Sequence, residues 1–169
     1  LAERFRPLAN RGFTRGKRNA SLKETITTCL ETRKQEIERR KVKIEVQLSG
    51  HDEVRTDPGE LYAVFINLLD NALYWVERLP ENRKRQLLIK SSSTRIKGRT
   101  QCEVHDSGPG VPKKDHVKIF WPGYTQRPSG YGMGLTVAGE IIEGHGGKLG
   151  ILDKGRLGGA SFVFDLPQP

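Results

Sequence analysis

Hydrophobic residues recur along the first part of the chain with a helical period and then a strand period. Residues 21–24, Ser-Leu-Lys-Glu, have the form of a helix capping box, and the helix that they begin is expected to end near Arg40. From Val42 to Leu48 apolar and polar residues alternate, which is typical of a half-buried strand. The start of the chain therefore predicts a helix followed by a strand.

The second half predicts two strands, a long loop, a helix and a terminal hairpin. The two strands span residues 86–95 and 100–106, and the helix spans residues 132–144. The hairpin is expected at residues 148–166. Residues 107–131 contain four Gly and four Pro and suit neither a helix nor a strand. Irregular loops of about 25 residues are uncommon in compact domains and are often functional, as lids are, so this loop is the first indication that the domain closes on something.

The most informative predicted helix begins with Asp57 as its cap and Pro58 in its first turn, and it ends near Arg78. At 100° per residue, one broad arc of this helix is apolar and predicts a core face made of Leu61, Phe65, Leu68, Leu69, Ala72 and Val76. The opposite narrow stripe is polar and consists of Glu60, Asn67, Asp70, Asn71 and Tyr74.

Asn67 and Asn71 are four residues apart, so their amides lie one above the other on this stripe. A solvent-facing surface is one interpretation, but such surfaces usually hold Lys, Glu and Arg, which are better helix formers than Asn. Two stacked Asn with Asp70 between them suggest oxygen ligands for a hard cation. Mg²⁺ takes a few protein oxygens, and water and phosphate complete its shell.

Two glycine-containing segments follow. Residues 106–110, Asp-Ser-Gly-Pro-Gly, come at the end of a predicted strand, where Asp106 can accept a hydrogen bond from an amino group and the glycines let a flat ligand approach the backbone. A strand-ending turn is the alternative. Residues 130–135, Gly-Tyr-Gly-Met-Gly-Leu, open a helix and are typical of a phosphate seat. They match neither the Rossmann nor the Walker pattern.

The net charge of +9 is concentrated near the start of the chain, where residues 1–50 hold 13 Lys and Arg against 6 acidic residues. Because aromatic residues are scarce there, a solvated or partner-facing surface is favoured over a nucleic-acid site. Cys29 and Cys102 fit no metal-ligand spacing and are expected to be reduced thiols. No apolar run approaches the roughly 20 residues that cross a bilayer.

Taken in order, these segments resemble the ATP-binding family shared by histidine kinases, gyrase-type topoisomerases, the large heat-shock chaperone and mismatch-repair ATPases. Residues 65–72 are similar to its N-box, residues 106–110 to its first glycine box, residues 119–124 to the phenylalanine box of histidine kinases, and residues 130–135 to its second glycine box. The resemblance covers about residues 40–167. It implies a two-layer α/β (α+β) sandwich of the Bergerat type, with a mixed, mainly antiparallel sheet and helices on one face.

The resemblance also implies how ATP and Mg²⁺ would be held. Asn71 would coordinate Mg²⁺, and Asn67 would lie beside the phosphates. Asp106 would accept from the adenine amino group. The remaining expected nucleotide-binding residues are Gly108, Gly110, Tyr74, Arg127, Gly130, Gly132, Gly134 and Leu135. Residues 112–131 would form the lid, with Phe120 and Tyr124 folding onto the body of the domain.

Two residues distinguish this chain within the family that it resembles. Hydrolysing members have a Glu one helical turn before the Mg²⁺-binding Asn, and here that position is Asn67, which cannot act as a general base. Slow hydrolysis and the kinase branch are therefore favoured. Histidine kinases often have Lys or Arg three residues after the Mg²⁺-binding Asn, whereas this chain has Tyr74. Arg127 in the lid is a candidate for the missing cation.

The expected function is the catalytic domain of a sensor histidine kinase, which transfers the γ-phosphate of ATP to a histidine in two-component signalling. The expected partners are a histidine-containing dimerisation domain of the same protein and a response-regulator receiver domain, with no nucleic acid. Alternatives are an ATP-driven conformational switch of the chaperone or topoisomerase type, a degenerate non-enzymatic interaction module, and a serine kinase. A cytoplasmic location is expected, with membrane association of the full-length protein left open.

None of the four histidines has the setting of a phosphoacceptor. His145 is expected to be structural, and His105 to lie on a strand beside Asp106. Autophosphorylation by this chain alone is therefore not expected. Residues 1–20 are predicted to be a basic segment in which Leu1–Leu8 end a dimerisation helix and a linker follows, and residues 21–169 to be the catalytic domain. Dimerisation would use helices upstream of Leu1.

Overall fold

A computed structural model describes residues 18–128, 130–153 and 155–169 of the chain. The dimerisation helix predicted at residues 1–8, and all of the predicted linker before Arg18, lie outside the described residues. The elements run in the order β1 (Ala20–Ser21), α1 (Leu22–Thr32), α2 (Lys34–Arg39), β2 (Lys43–Leu48), β3 (Glu53–Val54), α3 (Pro58–Glu77), β4 (Gln86–Ser93), β5 (Arg99–Asp106), α4 (Gly134–Gly144), β6 (Gly150–Ile151) and β7 (Ser161–Pro167).

A five-stranded sheet forms one layer of the domain, with the strand order β2-β4-β5-β7-β6. Strand β2 runs parallel to β4, and the other neighbouring strands are antiparallel. Helices α1, α3 and α4 form the second layer, in which α3 contacts both of the other helices and β5. The predicted two-layer sandwich with a mixed, mainly antiparallel sheet is therefore confirmed.

Helix α3 buries the predicted apolar arc. All six residues of that arc are at most 2% exposed, and they join side chains from β4, β5 and β7 in one core. Asp57 caps the helix by accepting from the backbone N–H of Gly59 at 2.8 Å, and Pro58 lies in the first turn. Because the core face is fixed in this way, the polar stripe of α3 is directed away from the core.

The predicted helix from Ser21 to Arg40 is wrong in one respect, because it divides into α1 and α2 at Arg33. The backbone of Arg33 has φ −105° and ψ 9°, which is outside the helical region. The predicted cap is present, since the Ser21 side chain accepts from the backbone N–H of Glu24. The break places the side chain of Arg33 against α3, where it pairs with Asp70.

Two further details differ from the predictions. Val46 is 40% exposed, because β2 is an edge strand and its apolar side is only partly covered by the helical layer. The short strands β1 and β3 pair with each other, with Ala20 opposite Val54. Strands of two residues are too short to give a sequence period. Sequence patterns therefore did not predict this pair of strands.

Candidate functional site

A cleft of about 330 Å³ lies between the polar stripe of α3, the long loop and the start of α4. Its lining includes most of the residues that the sequence singled out, namely Asn67, Asn71, Gly110, Arg127, Gly130, Gly132, Gly134 and Leu135. Asp70, Trp75, Tyr124, Thr125, Gln126, Tyr131, Met133 and Phe162 also line it. The structure thus brings together residues from distant parts of the chain, from Asn67 in α3 to Phe162 in β7.

The two amides of α3 lie at one wall of this cleft. Nδ2 of Asn67 donates to the carbonyl oxygen of Ala63 at 2.8 Å, so Oδ1 is the atom left for other partners. That oxygen faces the start of α4, because a methyl group on Gly134 would lie 2.8 Å from it. Asn67 therefore presents an acceptor next to the first turn of α4.

Helix α4 begins without a side-chain cap. Met133 is the residue before its first turn, and it makes no side-chain hydrogen bond to the helix. Backbone N–H groups of a first helical turn have no partner within the helix, and the helix dipole gives them a partial positive charge. The start of α4 therefore offers donors to an anion in the cleft.

Gly132 and Gly130 let the loop pack against itself. Gly132 has φ +65°, and a methyl group there would lie 2.5 Å from the carbonyl carbon of Gly123. The backbone N–H of Gly123 also donates to the carbonyl of Gly132 at 3.1 Å, which holds together the two ends of the lid segment 123–132. A methyl group on Gly130 would lie 3.0 Å from Cβ of Arg127. These two glycines thus shape the lid as well as lining the cleft.

Asp106, at the end of β5, is 2% exposed and lies behind the cleft rather than in its lining. Its Oδ1 accepts from the backbone N–H groups of Gly108 at 2.8 Å and Ala160 at 3.1 Å. Burial raises the pKa of the Asp106 carboxyl to about 6, and the two N–H groups oppose this shift. Within the described part of the chain Oδ2 has no hydrogen-bond donor, so it is the oxygen available to a ligand.

The surroundings of Asp106 include two residues that the sequence reasoning missed. Trp75 lines the cleft beside Gly108, where a methyl group would lie 3.1 Å from Cβ of Trp75. Gly159 packs against Asp106 and Gly108 so closely that it has no room for a side chain. The signal for Trp75 was present in the sequence, because it is four residues after Asn71 on the same helical stripe. Gly159 lies in a turn and gave no such signal.

Three polar residues that the sequence associated with α3 or Asp106 have partners elsewhere. The carboxylate of Asp70 accepts two hydrogen bonds from Arg33, at 2.6 and 2.8 Å, and is therefore not a free ligand oxygen. Glu60 lies 2.6 Å from Nε2 of His145, which follows α4 directly, as expected for a structural histidine. His105 is fully buried, with Nδ1 2.6 Å from the hydroxyl of Ser161, and does not line the cleft.

The second amide, Asn71, contacts the lid. Its Oδ1 accepts a hydrogen bond from Nη2 of Arg127 at 2.7 Å. The guanidinium of Arg127 also lies over the ring of Tyr74, with its central carbon 4.3 Å from the ring centre. The structure thus places the candidate lid cation directly beside the residue that stands where a basic side chain was expected.

The long loop is anchored at its middle. It contains two short 3₁₀ turns, Lys113–Asp115 and Lys118–Phe120. The hydroxyl of Thr136 in α4 donates to the carbonyl of Phe120 at 3.0 Å, and the Phe120 ring packs edge-on against Phe162 of the core at 6.3 Å. Phe120 therefore folds onto the body, as predicted, whereas Tyr124 lines the cleft instead.

A metal ion in this cleft would need ligands other than a carboxylate cluster. Among the residues that the structure describes, no group of three or more His, Cys, Asp and Glu side chains could hold a metal. Amide oxygens are a donor type that fits Mg²⁺, which takes few protein ligands and completes its shell with water and other oxygen ligands.

Residues 56–169 match the family described as Histidine kinase-, DNA gyrase B-, and HSP90-like ATPase, and the chain belongs to this family of ATP-binding domains. It is 31% identical over 118 residues to the sensor protein FixL of Bradyrhizobium diazoefficiens, and this match covers 70% of the present chain and 22% of FixL. It is 32% identical over 119 residues to the adaptive-response sensory kinase SasA of a Synechococcus species, covering 68% of this chain and 29% of SasA.

Solved structures support the same class. The catalytic domain of the histidine kinase ThkA, in a nucleotide-free form, is 28% identical with a TM-score of 0.77, and the match covers 89% of this chain and 95% of that domain. The chain is therefore a histidine-kinase-type ATP-binding catalytic domain. It spans less than a third of the length of FixL or SasA. No helix within the described ranges is both long and apolar enough to cross a membrane.

Proposed function

We propose that the cleft binds Mg²⁺-ATP and that the domain transfers the γ-phosphoryl group to a histidine on a separate helical domain, for relay to an aspartate of a response regulator. The observation on which this depends is that Asn67 and Asn71 line one cleft, in which Asn67 faces the uncapped start of α4 and Asn71 contacts Arg127 of the lid. An acceptor oxygen and backbone donors at one place suit a metal–triphosphate.

Two groups of residues would bind the two ends of the nucleotide. Oδ2 of Asp106 would accept from the adenine amino group, between Trp75 and Gly108. At the other end, the N–H groups of the first turn of α4 would bind phosphate oxygens, with Asn67 beside them. Asn71 would hold Mg²⁺, which when bound neutralises the charge of the phosphate chain. The residues thus bind and orient ATP, which is most of what phosphoryl transfer requires of a protein.

The described lining of the cleft has no free carboxylate that could activate water, which supports phosphoryl transfer rather than hydrolysis of ATP. Asp70 is the one carboxylate among the described residues that line the cleft, and both of its oxygens are bonded to Arg33. Asn67 cannot accept a proton from water. The nucleophile would be a histidine nitrogen, which forms the new bond to the γ-phosphorus as the bond to the bridging oxygen breaks and ADP leaves.

Two relatives support the proposed partners. SasA is named a sensory kinase, and ThkA has been crystallised in complex with the response regulator protein TrrA; that ThkA chain is 25% identical to this one, with a TM-score of 0.74. We extend the response-regulator partner to this chain on that basis. The histidine-bearing domain, and a dimer formed through it, are proposed on the same grounds.

Calorimetric titration with ATP and ADP, with and without Mg²⁺, tests the binding part of the proposal. We expect both nucleotides to bind and Mg²⁺ to strengthen ATP binding. Radiolabelled ATP and an added histidine-bearing helical domain test transfer, which should give an acid-labile phosphohistidine on that domain. Robust hydrolysis by this chain alone would instead favour a conformational switch. Absence of binding would favour a non-enzymatic module.

A further inference from the structure

Arg127 is a half-buried cation whose direct contacts are neutral groups. Its Nη2 donates to Oδ1 of Asn71 at 2.7 Å and lies 3.5 Å from the backbone carbonyl oxygen of Asp70. The ring of Tyr74 lies under the guanidinium. Within residues 18–128, 130–153 and 155–169 no carboxylate forms an ion pair with Arg127, although Asp70, the acid nearest to it along α3, is paired with Arg33.

Three of the other half-buried arginines have a carboxylate partner: Arg33 pairs with Asp70, Arg40 with Glu77, and Arg99 with Asp165. Arg85 forms no ion pair among the described residues, but its guanidinium donates to three backbone carbonyl oxygens and does not line the cleft. Burial lowers the pKa of Arg127, which reflects the same desolvation of its charge without a carboxylate partner. A guanidinium does not give up its proton in proteins, so a desolvated one is stabilised by an anion. The cleft beside it is where the phosphates of ATP are proposed to lie.

Tyr74 holds this cation in place from α3. Its ring is also covered by Arg78, whose central guanidinium carbon is 3.3 Å from the ring centre and whose Nη1 donates to the Tyr74 carbonyl at 2.8 Å. Trp75 packs edge-on against the same ring, with centroids 5.0 Å apart. The charged groups around Arg127 are thus Arg78, Arg40 and the paired Asp70. Arg40 and Arg78 both have Glu77 as an ion-pair partner, so Arg127 is the cation of these three without a carboxylate partner among the described residues.

We propose that Tyr74 is a positioning residue which holds Arg127 of the lid for the terminal phosphate of ATP. The inference rests on the proposed function. Tyr74 is three residues after Asn71 on α3, so a cation on its ring lies at the metal-binding end of the cleft. Oδ1 of Asn71 is a poor metal ligand while it accepts from the Arg127 guanidinium, because two cations would then share one neutral oxygen. Arg127 should therefore move from the amide to the phosphate when Mg²⁺-ATP enters.

A cation–π contact suits this movement because it depends weakly on direction. The guanidinium can exchange its hydrogen-bond partner and remain over the ring. A lysine at position 74 would place a positive charge on the helix itself. With Tyr74 at this position, the positive charge comes from Arg127 and is present only when the lid holds Arg127 over the ring. Arg127 should therefore contribute little to the affinity for ADP, which has no γ-phosphate, and much to the affinity for ATP.

The test compares MgATP with MgADP in calorimetric titrations of the chain and its variants. Arg127→Gln is expected to weaken MgATP binding by about 10-fold to 100-fold, the usual loss for a hydrogen bond to a charged group, and to change MgADP binding much less. Tyr74→Leu is expected to weaken MgATP binding by about 3-fold to 10-fold with the same selectivity. Tyr74→Phe keeps the ring and should keep most of the preference for ATP.

A double variant separates positioning from a general structural effect. If Tyr74 acts through Arg127, adding Tyr74→Leu to Arg127→Gln should cause little further loss of MgATP affinity. Arg83→Gln removes an exposed charge that does not line the cleft, and it is the matched control for net charge. Equal losses for ATP and ADP, or fully additive losses in the double variant, would overturn the inference. Failure of the unaltered chain to bind either nucleotide would instead overturn the proposed function.

Discussion

Oδ1 of Asn67 faces the α-carbon of Gly134, so closely that a methyl group on Gly134 would lie 2.8 Å from the oxygen. The contact joins the polar stripe of α3 to the first residue of α4, next to the part of the cleft proposed to hold phosphate. It also explains why this helix begins with glycine, although alanine is the better helix former. The geometry of the site depends on the absence of a side chain here.

Gly134→Ala is accordingly expected to weaken ATP binding without unfolding the domain. The new methyl group would push the Asn67 amide aside and cover the donors of the first turn, so we expect roughly a 10-fold loss of affinity, the value of about one hydrogen bond. Calorimetric titration with MgATP measures it, and circular dichroism checks the fold.

Gly139→Ala is the matched control in the same helix. A methyl group on Gly139 meets no atom within 4 Å, so the change should add about 0.5–1 kcal/mol to the free energy of unfolding through helix propensity. ATP affinity should not change. If both substitutions weakened ATP binding equally, the contact between Gly134 and Asn67 would not be the reason.

Asp106→Asn is expected to stabilise the fold at neutral pH while weakening nucleotide binding. The folded-state pKa of about 6 lies above the usual value of 3.8, so the folded protein holds this proton more tightly than the unfolded chain does. The wild-type carboxyl therefore costs stability progressively as the pH rises from about 4 to about 6. Above pH 6 the variant should be more stable by at most about 3 kcal/mol. Urea unfolding between pH 4 and 8 measures the difference.

The same substitution should change base selectivity. Because Oδ1 accepts from Gly108 and Ala160, the amide oxygen of the variant would take that place and direct its NH₂ group to the ligand side. The NH₂ group of the variant would face the adenine amino group, and two hydrogen-bond donors cannot pair with each other. ATP affinity should therefore fall, and the preference for ATP over GTP should become smaller. Glu81→Gln, at an exposed position, is the control for charge. Unchanged ATP affinity would show that Asp106 does not contact the base.

The sequence predicted much of this site because local geometry determines it. The stacking of Asn67 and Asn71 follows from the helical repeat, and the glycine turn before α4 follows from its composition. Contacts between distant elements were not predictable in this way. The pairing of Arg33 with Asp70 and the packing of Gly159 on Asp106 depend on how helices and strands meet. No period in the sequence relates residues so far apart in the chain.

Asn71→Ala is expected to remove the effect of Mg²⁺ on ATP binding. Without the amide oxygen the protein lacks its proposed metal ligand, so affinities measured with Mg²⁺ and with a chelator should become similar. The same change releases Arg127 from its hydrogen bond, so binding of metal-free ATP should be kept or slightly strengthened. Asn82→Ala, in the exposed turn after α3, should retain the full Mg²⁺ effect. A Mg²⁺ dependence like that of the parent would exclude Asn71 as the ligand.

Arg33→Met tests whether the ion pair between α1 and α3 supports the amide stripe. The side chains of Arg33 and Asp70 are 26% and 39% exposed, so solvent screens the pair and its loss should cost only about 1 kcal/mol of unfolding free energy. The cost should shrink in high salt. Asp70 lies between the two amides and its carboxylate would be released into the cleft, so MgATP affinity should also fall through repulsion of phosphate.

Arg39→Met is the control for this change. It removes a charge from α2 at a more exposed side chain, which is 67% exposed, and should leave MgATP affinity intact. Restoration of affinity by Asp70→Asn in the Arg33→Met background would identify the released carboxylate as the cause, and a further loss would contradict it.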